Sequence, residues 1–296
     1  MDSSLTDRNS GYGMAMLEGL NGLMTQSVAN LALGGSWVDM VLDAYFEMII
    51  GSDSAATKQI VNTYADAMRY TSPMMADFLD DLTKMPQPLN EKDVFNGRKW
   101  KNLQSAMDET IGAYSPKVQR IIASGQMSTI ALTNDAMDKA WVGMALDLND
   151  PDIVARWHKM PERAYADMVG RLQNGSPLSD LLDTLPAQTN LEMRRGLLKG
   201  IALGENADLV GKRVARATQM PAWKAVSISR TTVLNTYRET SRRSYLQHPD
   251  IIDGWYWQSA QNQRTCMACL MRDGTVYPLS EKQAAHSQCR CRMRPR

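Results

Sequence analysis

Residues 221–246 read PAWKAVSISRTTVLNTYRETSRRSYL and are the stretch from which the rest of the fold can be interpreted. Pro221 suits the first turn of a helix, where its missing N–H is not needed. The pair His248-Pro249 then disfavours further helix. The stretch therefore predicts one long helix near the end of a largely helical chain.

Arg230 falls on the apolar face of this helix, with Val226, Val233 and Tyr237 at spacings of three and four. A guanidinium whose stem is buried needs a hydrogen-bonding or charged partner. We therefore assign Arg230 a structural role.

The other arginines of the helix are Arg238, Arg242 and Arg243. We expect them to be ordinary solvated charges, with Glu239 pairing to Arg243 at the favourable spacing of four.

The fold class that we predict is mainly α, a multi-helix body followed by a small α+β C-terminal module with a Cys/His cluster. Apolar residues recur at spacings of three and four over most of the first 247 residues. Proline-rich residues 85–90 mark a boundary. The predicted divisions are an N-terminal helical region 1–85, a linker 86–98, a central helical domain 99–220 and the C-terminal module 221–296.

Two helix ends inside the body can be predicted from local signals. Asp53 or Ser54 suits the N-cap of a helix whose apolar face includes Ile60. The pair Ser115-Pro116 is expected to interrupt a second helix, because proline removes a backbone donor.

The C-terminal module is expected to contain a β-hairpin. Trp255 and Trp257 are aromatic residues at the period of two that strands favour, and we assign both a structural role. Asp273-Gly274 is a turn signal, and residues 275–277 form the second expected strand.

Charge is distributed unevenly along the chain. The 296 residues have a net charge of +1, but residues 212–296 hold 15 Lys/Arg against 5 Asp/Glu. Such a basic segment fits phosphates or an acidic partner surface, and docking onto the acidic remainder of the chain would satisfy the same charges.

Membrane insertion and secretion are not expected. The most apolar candidate span, residues 41–50, is short and contains Asp43 and Glu47. Residues 13–35 suit an ordinary packed helix better than an interfacial one, because they lack a basic polar face. Residues 1–12 are polar and lack the features of a secretory signal.

All four cysteines and one of three histidines lie close together in the C-terminal module. Cys-x-x-Cys presents two thiolates from a tight turn, and a second pair can complete the four soft ligands of a tetrahedral zinc site. Four of five candidates would bind structural zinc, and the five are Cys266, Cys269, His286, Cys289 and Cys291.

Two other interpretations of the cysteines stay open. They could be reduced structural thiols or a disulfide clamp, since a released particle meets oxidising surroundings. They could also form a redox-active Cys-x-x-Cys, although the helix of a thioredoxin-like βαβ setting does not follow in the sequence. A zinc deaminase fits less well, because His286 comes after the Cys-x-x-Cys and no Glu follows it in a His-x-Glu motif.

No catalytic constellation, Walker loop or dinucleotide fingerprint is present in the sequence. We therefore expect a protein that is not an enzyme.

The order of motifs in the last 70 residues or so resembles that of the Mu F-like phage head-morphogenesis or minor head proteins. The resemblance extends over residues 150–291. The motifs are Ile228-Ser229-Arg230-Thr231, Tyr-Arg-x-x-Ser at 237–241, Trp-x-Trp at 255–257, Arg-Thr-Cys-x-x-Cys at 264–269, Asp-Gly-x-x-Tyr-Pro at 273–278 and His-x-x-Cys-Arg-Cys at 286–291. One departure is Thr232, where the family often has Glu, so the expected local partner of Arg230 is absent.

The resemblance implies a structural minor capsid protein of a tailed bacteriophage, carried in the virion inside the head near the portal and present in the host cytoplasm during assembly. Its implied partners are the portal protein and the major capsid or scaffolding protein, and its implied role is head assembly and DNA packaging or ejection. Packaged DNA is a further candidate partner, for which the basic residues Arg290, Arg292, Arg294 and Arg296 are the predicted contacts. The alternatives are a DNA-binding zinc module on a helical scaffold, and an effector delivered with the genome.

Overall fold

The computed structural model describes residues 36–282 and 285–296. Two long helices form its axis, α1 (Trp37–Lys84) and α3 (Arg98–Leu148), and the short helix α2 (Glu91–Asn96) lies between them. Contacts between α1 and α3 show that the two run antiparallel. Asp77 binds Lys99 near the connection (2.7 Å), whereas Tyr45 contacts Asp135 at the far end.

Side chains cap the N-termini where these helices begin. Ser36 accepts a hydrogen bond from the Val38 amide at the start of α1, and Asn90 accepts one from the Lys92 amide at the start of α2. The expected linker 86–98 therefore includes a helix, and it joins two helices that pack along each other. The division of the chain into domains at this segment stays a prediction.

Helix α3 continues through Pro116, so the expected interruption at Ser115-Pro116 is wrong. Proline lacks the donor for the carbonyl of Gly112, four residues earlier, but both residues are on the exposed face, where that carbonyl can be hydrated. Ser115, on the buried side, donates to the carbonyl of Ile111 or of Leu182 (3.1 Å each). Packing on one face thus overrides a helix-breaking residue on the other.

The remaining helices cover the axis and end near the turn signals of the sequence. They are α4 (Asp152–Arg156), a 3₁₀ helix (Glu162–Met168), α5 (Leu178–Leu182), α6 (Leu185–Ala202), α7 (Ala207–Thr218) and α8 (Met220–Leu246). Asn149 ends α3 in the left-handed conformation at φ 51°. The predicted long helix is confirmed as α8, with Pro221 in its first turn.

A three-stranded antiparallel sheet follows α8 in the order β2-β1-β3. The strands are β1 (Gly254–Gln258), β2 (Val276–Pro278) and β3 (Arg292–Pro295), and helix α9 (Met267–Arg272) lies between β1 and β2. The predicted hairpin is confirmed as β1 and β2. Strand β3 pairs with the other edge of β1 and was not predicted. The expected mainly α fold with an α+β C-terminal module is confirmed.

Two hydrophobic cores lie along the long helices. The core near the sheet contains Phe46, Trp141, Tyr237, Trp255 and Met293. The core near the α1–α3 connection contains Ile60, Trp100, Met107, Leu182 and Val210. Helices α1, α3 and α8 contribute to both cores, so the C-terminal module packs directly on the helical body.

No helix within residues 36–282 and 285–296 is long and apolar enough to cross a bilayer. The interpretation of residues 13–35 as a packed helix concerns residues outside that described part.

Asp53 and Arg230 form an ion pair between α1 and α8, with Arg230 Nε 2.9 Å from Asp53 Oδ2. The Asp53 side chain is fully buried, and that of Arg230 is 16% exposed. The expectation that Asp53 or Ser54 caps a helix is therefore wrong, since α1 passes through both residues. Asp53 is the partner that Arg230 was predicted to need, supplied by another helix in place of the family's local Glu.

We expect Asp53→Ala to lower the free energy of unfolding by about 3 kcal/mol, because it leaves the largely buried Arg230 guanidinium without its counter-charge. Asp66→Ala is the matched control on the same helix, since Asp66 and its partner Arg69 are well exposed. The control is expected to change stability by no more than about 0.5 kcal/mol. Equal losses for the two variants in urea unfolding would contradict the structural role of Asp53.

Candidate metal centre

The five predicted ligands lie close together in the C-terminal module, as two groups of three that share Cys269. Cys266 immediately precedes α9 and Cys269 lies in its first turn, where the Cys269 amide donates to the Cys266 carbonyl (3.0 Å). His286, Cys289 and Cys291 lie in the loop before β3, and the Cys289 amide donates to the His286 carbonyl (3.2 Å). Two tight turns therefore present thiols and an imidazole to the same space.

The distances between ligand atoms are short. His286 Nε2 is 3.3 Å from the sulfur of Cys266 and 3.3 Å from that of Cys269, and the Cys269 and Cys289 sulfurs are 3.7 Å apart. Zn–S bonds of about 2.3 Å in a tetrahedron place two sulfurs roughly 3.8 Å apart. The arrangement is therefore of a size that suits a tetrahedral metal ion.

The imidazole of His286 is oriented for ligation. Its Nδ1 is 2.8 Å from the Ser287 carbonyl oxygen, which can only accept, so Nδ1 carries the proton. In the neutral ring Nε2 then has a free lone pair, and it is the nitrogen that faces the sulfurs.

Cys269 belongs to both groups of three ligands that lie within mutual reach, one with Cys266 and His286 and the other with Cys289 and Cys291. Cys269, Cys289 and Cys291 are buried, and all four cysteines are free thiols. A disulfide clamp is thus not formed in this structure.

The three buried thiols have unlike electrostatic surroundings. A hydrogen bond from the Cys291 thiol lowers the pKa of Cys289, and the nearby Arg238 charge lowers it further. Burial raises the pKa of Cys269 to about 11. Cys289 is therefore the readiest thiolate, and binding of a cation would favour deprotonation of Cys269 as well.

Arg238 fixes the second ligand turn to helix α8. Its guanidinium donates to the carbonyl of Cys291 from Nε (3.1 Å), to that of Cys289 from Nη2 and to the Asn235 side chain from Nη1 (2.7 Å). The expectation that Arg238 is solvated is wrong, because it is 5% exposed. Arg242 is also buried and pairs with Glu239, so its predicted solvation is wrong too.

The two tryptophans predicted to be structural are fully buried under the cluster. Trp255 stacks on Tyr277 across the β1–β2 pairing at 4.5 Å between ring centroids. Trp257 faces the Arg238 guanidinium at 5.8 Å. These rings form the apolar support on which the cluster lies.

The four terminal arginines have different surroundings. Arg294 is 1% exposed and Arg292 is largely covered, and both bind Asp43 of α1. For these two, docking onto the acidic part of the chain is the alternative that the structure supports over contact with DNA. Arg290 is half-buried and lines the cavity at the cluster, and Arg296 is exposed at the end of the sheet.

The setting of the Cys-x-x-Cys differs from that of a thioredoxin. A helix does begin within the motif, contrary to our expectation, but it has six residues and lies between the antiparallel strands β1 and β2. The parallel βαβ unit of thioredoxin-like redox sites is thus not formed by these elements.

Helix α8, the antiparallel sheet and the Cys/His cluster together define a helical protein with a compact α+β module at its C-terminal end. Residues 192–294 match the model of the family described as Phage Mu protein F like protein. In this region, the C-terminal third of the chain, the protein resembles the Mu F-like phage head proteins. The match begins within α6, further along the chain than the residue 150 from which the resemblance was expected. No curated protein and no solved structure matched the chain.

Three residues that organise the site were not identified from the sequence. Asp53 follows Ile49 by four residues on the apolar face of α1, a spacing that could have indicated a buried acid. Arg238 comes directly after the buried Tyr237, and its partners are backbone carbonyls, for which the sequence gives no signal. Asp43 likewise binds a strand that was not predicted.

We expect Arg238→Ala to lower the free energy of unfolding by about 3 kcal/mol, since it leaves the buried carbonyls of Cys289 and Cys291 without this donor. Amide hydrogen exchange should become faster in residues 286–294. Lys224→Ala on the exposed face of α8 is the control and should leave both quantities unchanged. Unaltered exchange in Arg238→Ala would contradict the anchoring role.

Proposed function

We propose that the protein is a minor structural component of the phage head, located inside the head near the portal after assembly in the host cytoplasm. The observation that carries this proposal is the Mu F-like match over residues 192–294, which covers most of α6 and the whole C-terminal module up to Arg294. The family relates the chain to phage head morphogenesis. The proposed partners are the portal protein and the major capsid or scaffolding protein, and the proposed role is in assembly and in DNA packaging or ejection.

We also propose that the protein acts as a scaffold and not as an enzyme. The cluster is supported by buried tryptophans and is held by a buried arginine, an arrangement suited to fixing a loop in place. Structural zinc sites use all four coordination positions for protein ligands and leave none for a substrate.

Binding to head components can be tested directly. We expect the purified protein to co-sediment with procapsids that contain the portal protein of the same phage, and to associate much less with shells that lack the portal. Phage carrying a nonsense codon in this gene should form heads that package or eject DNA poorly. Normal heads and full infectivity without the protein would contradict the proposal.

Zinc is the metal that we propose for the cluster, with Cys266, Cys269, His286 and Cys289 as ligands. Contacts of 3.3, 3.3 and 3.7 Å join these four residues, and they supply the soft donors that zinc prefers. Cys291 is the fifth candidate. We assign it to the surroundings of the site, where its thiol donates a hydrogen bond to Cys289.

Elemental analysis of the purified protein is expected to give about one zinc per chain. Cys269→Ser should remove it, because Cys269 belongs to both ligand groups. Cys291→Ser is the matched control, with the same chemical change at a buried cysteine of the same cluster, and should retain the metal.

A protein without metal and with four thiols that react under denaturing conditions would contradict the zinc site. Retention of zinc by Cys269→Ser would contradict its ligand set, as would loss of zinc in Cys291→Ser.

The second candidate is a DNA-binding zinc module on a helical scaffold. It is favoured by the basic side chains beside the cluster, since Arg264 and Arg290 line its cavity and form no salt bridge with described residues. The two candidates differ in whether DNA is bound without any capsid partner. Salt-dependent binding of DNA by the isolated protein, weakened by Arg264→Gln and Arg290→Gln, would favour this second candidate.

A further inference from the structure

A cavity of about 320 Å³ lies between helix α8 and residues 167–175. Its volume is within the range of small-molecule sites, about 300–1,000 Å³. It shares no lining residue with the cavity at the Cys/His cluster. It is therefore a site separate from the candidate metal centre, located between the module and the helical body.

Basic side chains predominate around this cavity. The lining includes five basic residues and two acidic ones, together with neutral polar residues. The basic residues are Arg171, Arg238, Arg242, Arg243 and Lys282, and the acidic ones are Asp167 and Glu239. The walls thus have an excess of positive charge.

Two of the arginines are fixed by the two carboxylates. Arg243 binds both, with Nη1 2.7 Å from Asp167 and Nε 3.0 Å from Glu239, and Arg242 binds Glu239 through two nitrogens (2.9 and 2.8 Å). Hydrogen bonds from Arg243 lower the pKa of Asp167. Burial opposes ionisation of Glu239, but hydrogen bonds from Arg242 and Arg243 lower its pKa overall. Both carboxylates are therefore charged at neutral pH and hold the guanidiniums in place.

Two exposed cations of the lining, Arg171 and Lys282, take no part in this pairing. Arg171 donates to the Gly175 carbonyl (2.8 Å), and neither it nor Lys282 forms a salt bridge with residues in the described part of the chain. Both side chains are exposed. In the sequence, Arg171 precedes the α8 residues that line the cavity and Lys282 follows them. With five cations against two carboxylates in the lining, an anion that entered here would meet an excess of positive charge.

We infer that this cavity binds a phosphate group, either of a nucleic-acid backbone or of a free phosphate compound. A phosphate carries several acceptor oxygens, which suit guanidinium donors held in fixed orientations. The negative charge of a phosphate would compensate the excess positive charge of Arg171 and Lys282. Arg238 lines the cavity and also donates to the carbonyls of the cysteine loop, so the anion site and the Cys/His cluster share one anchoring residue.

The test uses the full chain, as purified, with two probes at low salt. Inorganic pyrophosphate is titrated by calorimetry, and a labelled single-stranded DNA oligonucleotide is followed by fluorescence anisotropy. The double variant Arg171→Gln, Lys282→Gln is expected to bind pyrophosphate about tenfold more weakly. For DNA the slope of log K against log salt should fall by about two, since each removed cation contributes roughly one.

Lys101→Gln is the matched control, because Lys101 is an exposed lysine of α3 away from the cavity. Loss of binding of both probes only in the double variant would support a site that accepts the phosphates of nucleic acid. Loss of pyrophosphate binding alone would support a site for free phosphate compounds, and loss of DNA binding alone one for the phosphodiester backbone. The inference would be overturned if the unaltered protein bound neither probe, or if Lys101→Gln lost as much binding as the double variant. Either result would count against it independently of the zinc analysis and of the co-sedimentation with portal-containing procapsids.

Discussion

A guanidinium buried between helix α8 and the cysteine loop connects the parts of the C-terminal module. Arg238 donates to the carbonyls on both sides of Arg290, and thereby fixes the backbone from which Cys289 and Cys291 project. The same loop leads into β3, which completes the sheet by pairing with β1. A lysine has one point charge where arginine has a planar fork, so it could not reproduce these divergent donors. The geometry of the thiols thus depends on a residue that has no contact with a metal.

A second polar connection joins this module to the helical body. The fully buried Asp53 of α1 binds Arg230 of α8, and Arg230 also lines the cavity at the cluster. Replacing both partners with apolar residues need not destabilise a protein, whereas removing one partner does. The pair therefore fixes the relative position of the two helices as much as it stabilises the fold, because it defines which turn of α8 faces which turn of α1.

The sequence was sufficient for the helices, the β1–β2 hairpin and the convergence of all five ligand candidates, since periodicity, turn signals and Cys/His spacing are local properties. It was insufficient where partners come from distant parts of the chain. The sequence alone predicts a helix cap at Asp53, solvated side chains for Arg238 and Arg242, and a helix break at Pro116. In each case burial against another element decides the outcome, and burial is a property of the tertiary structure. The short strand β3 escaped notice because its alternating arginines resemble a basic tail.

The contact between α1 and β3 has a consequence for how the protein is made. Arg292 and Arg294 bind Asp43 across sequence separations of 249 and 251 residues, so this part of the core closes only after nearly the whole described chain has left the ribosome. Contacts of such high sequence separation form slowly, and until then the aromatic residues that they cover stay open to solvent. A prematurely terminated chain would expose that surface and become a substrate for cellular proteases. Only chains synthesised as far as β3 would then persist in the folded form.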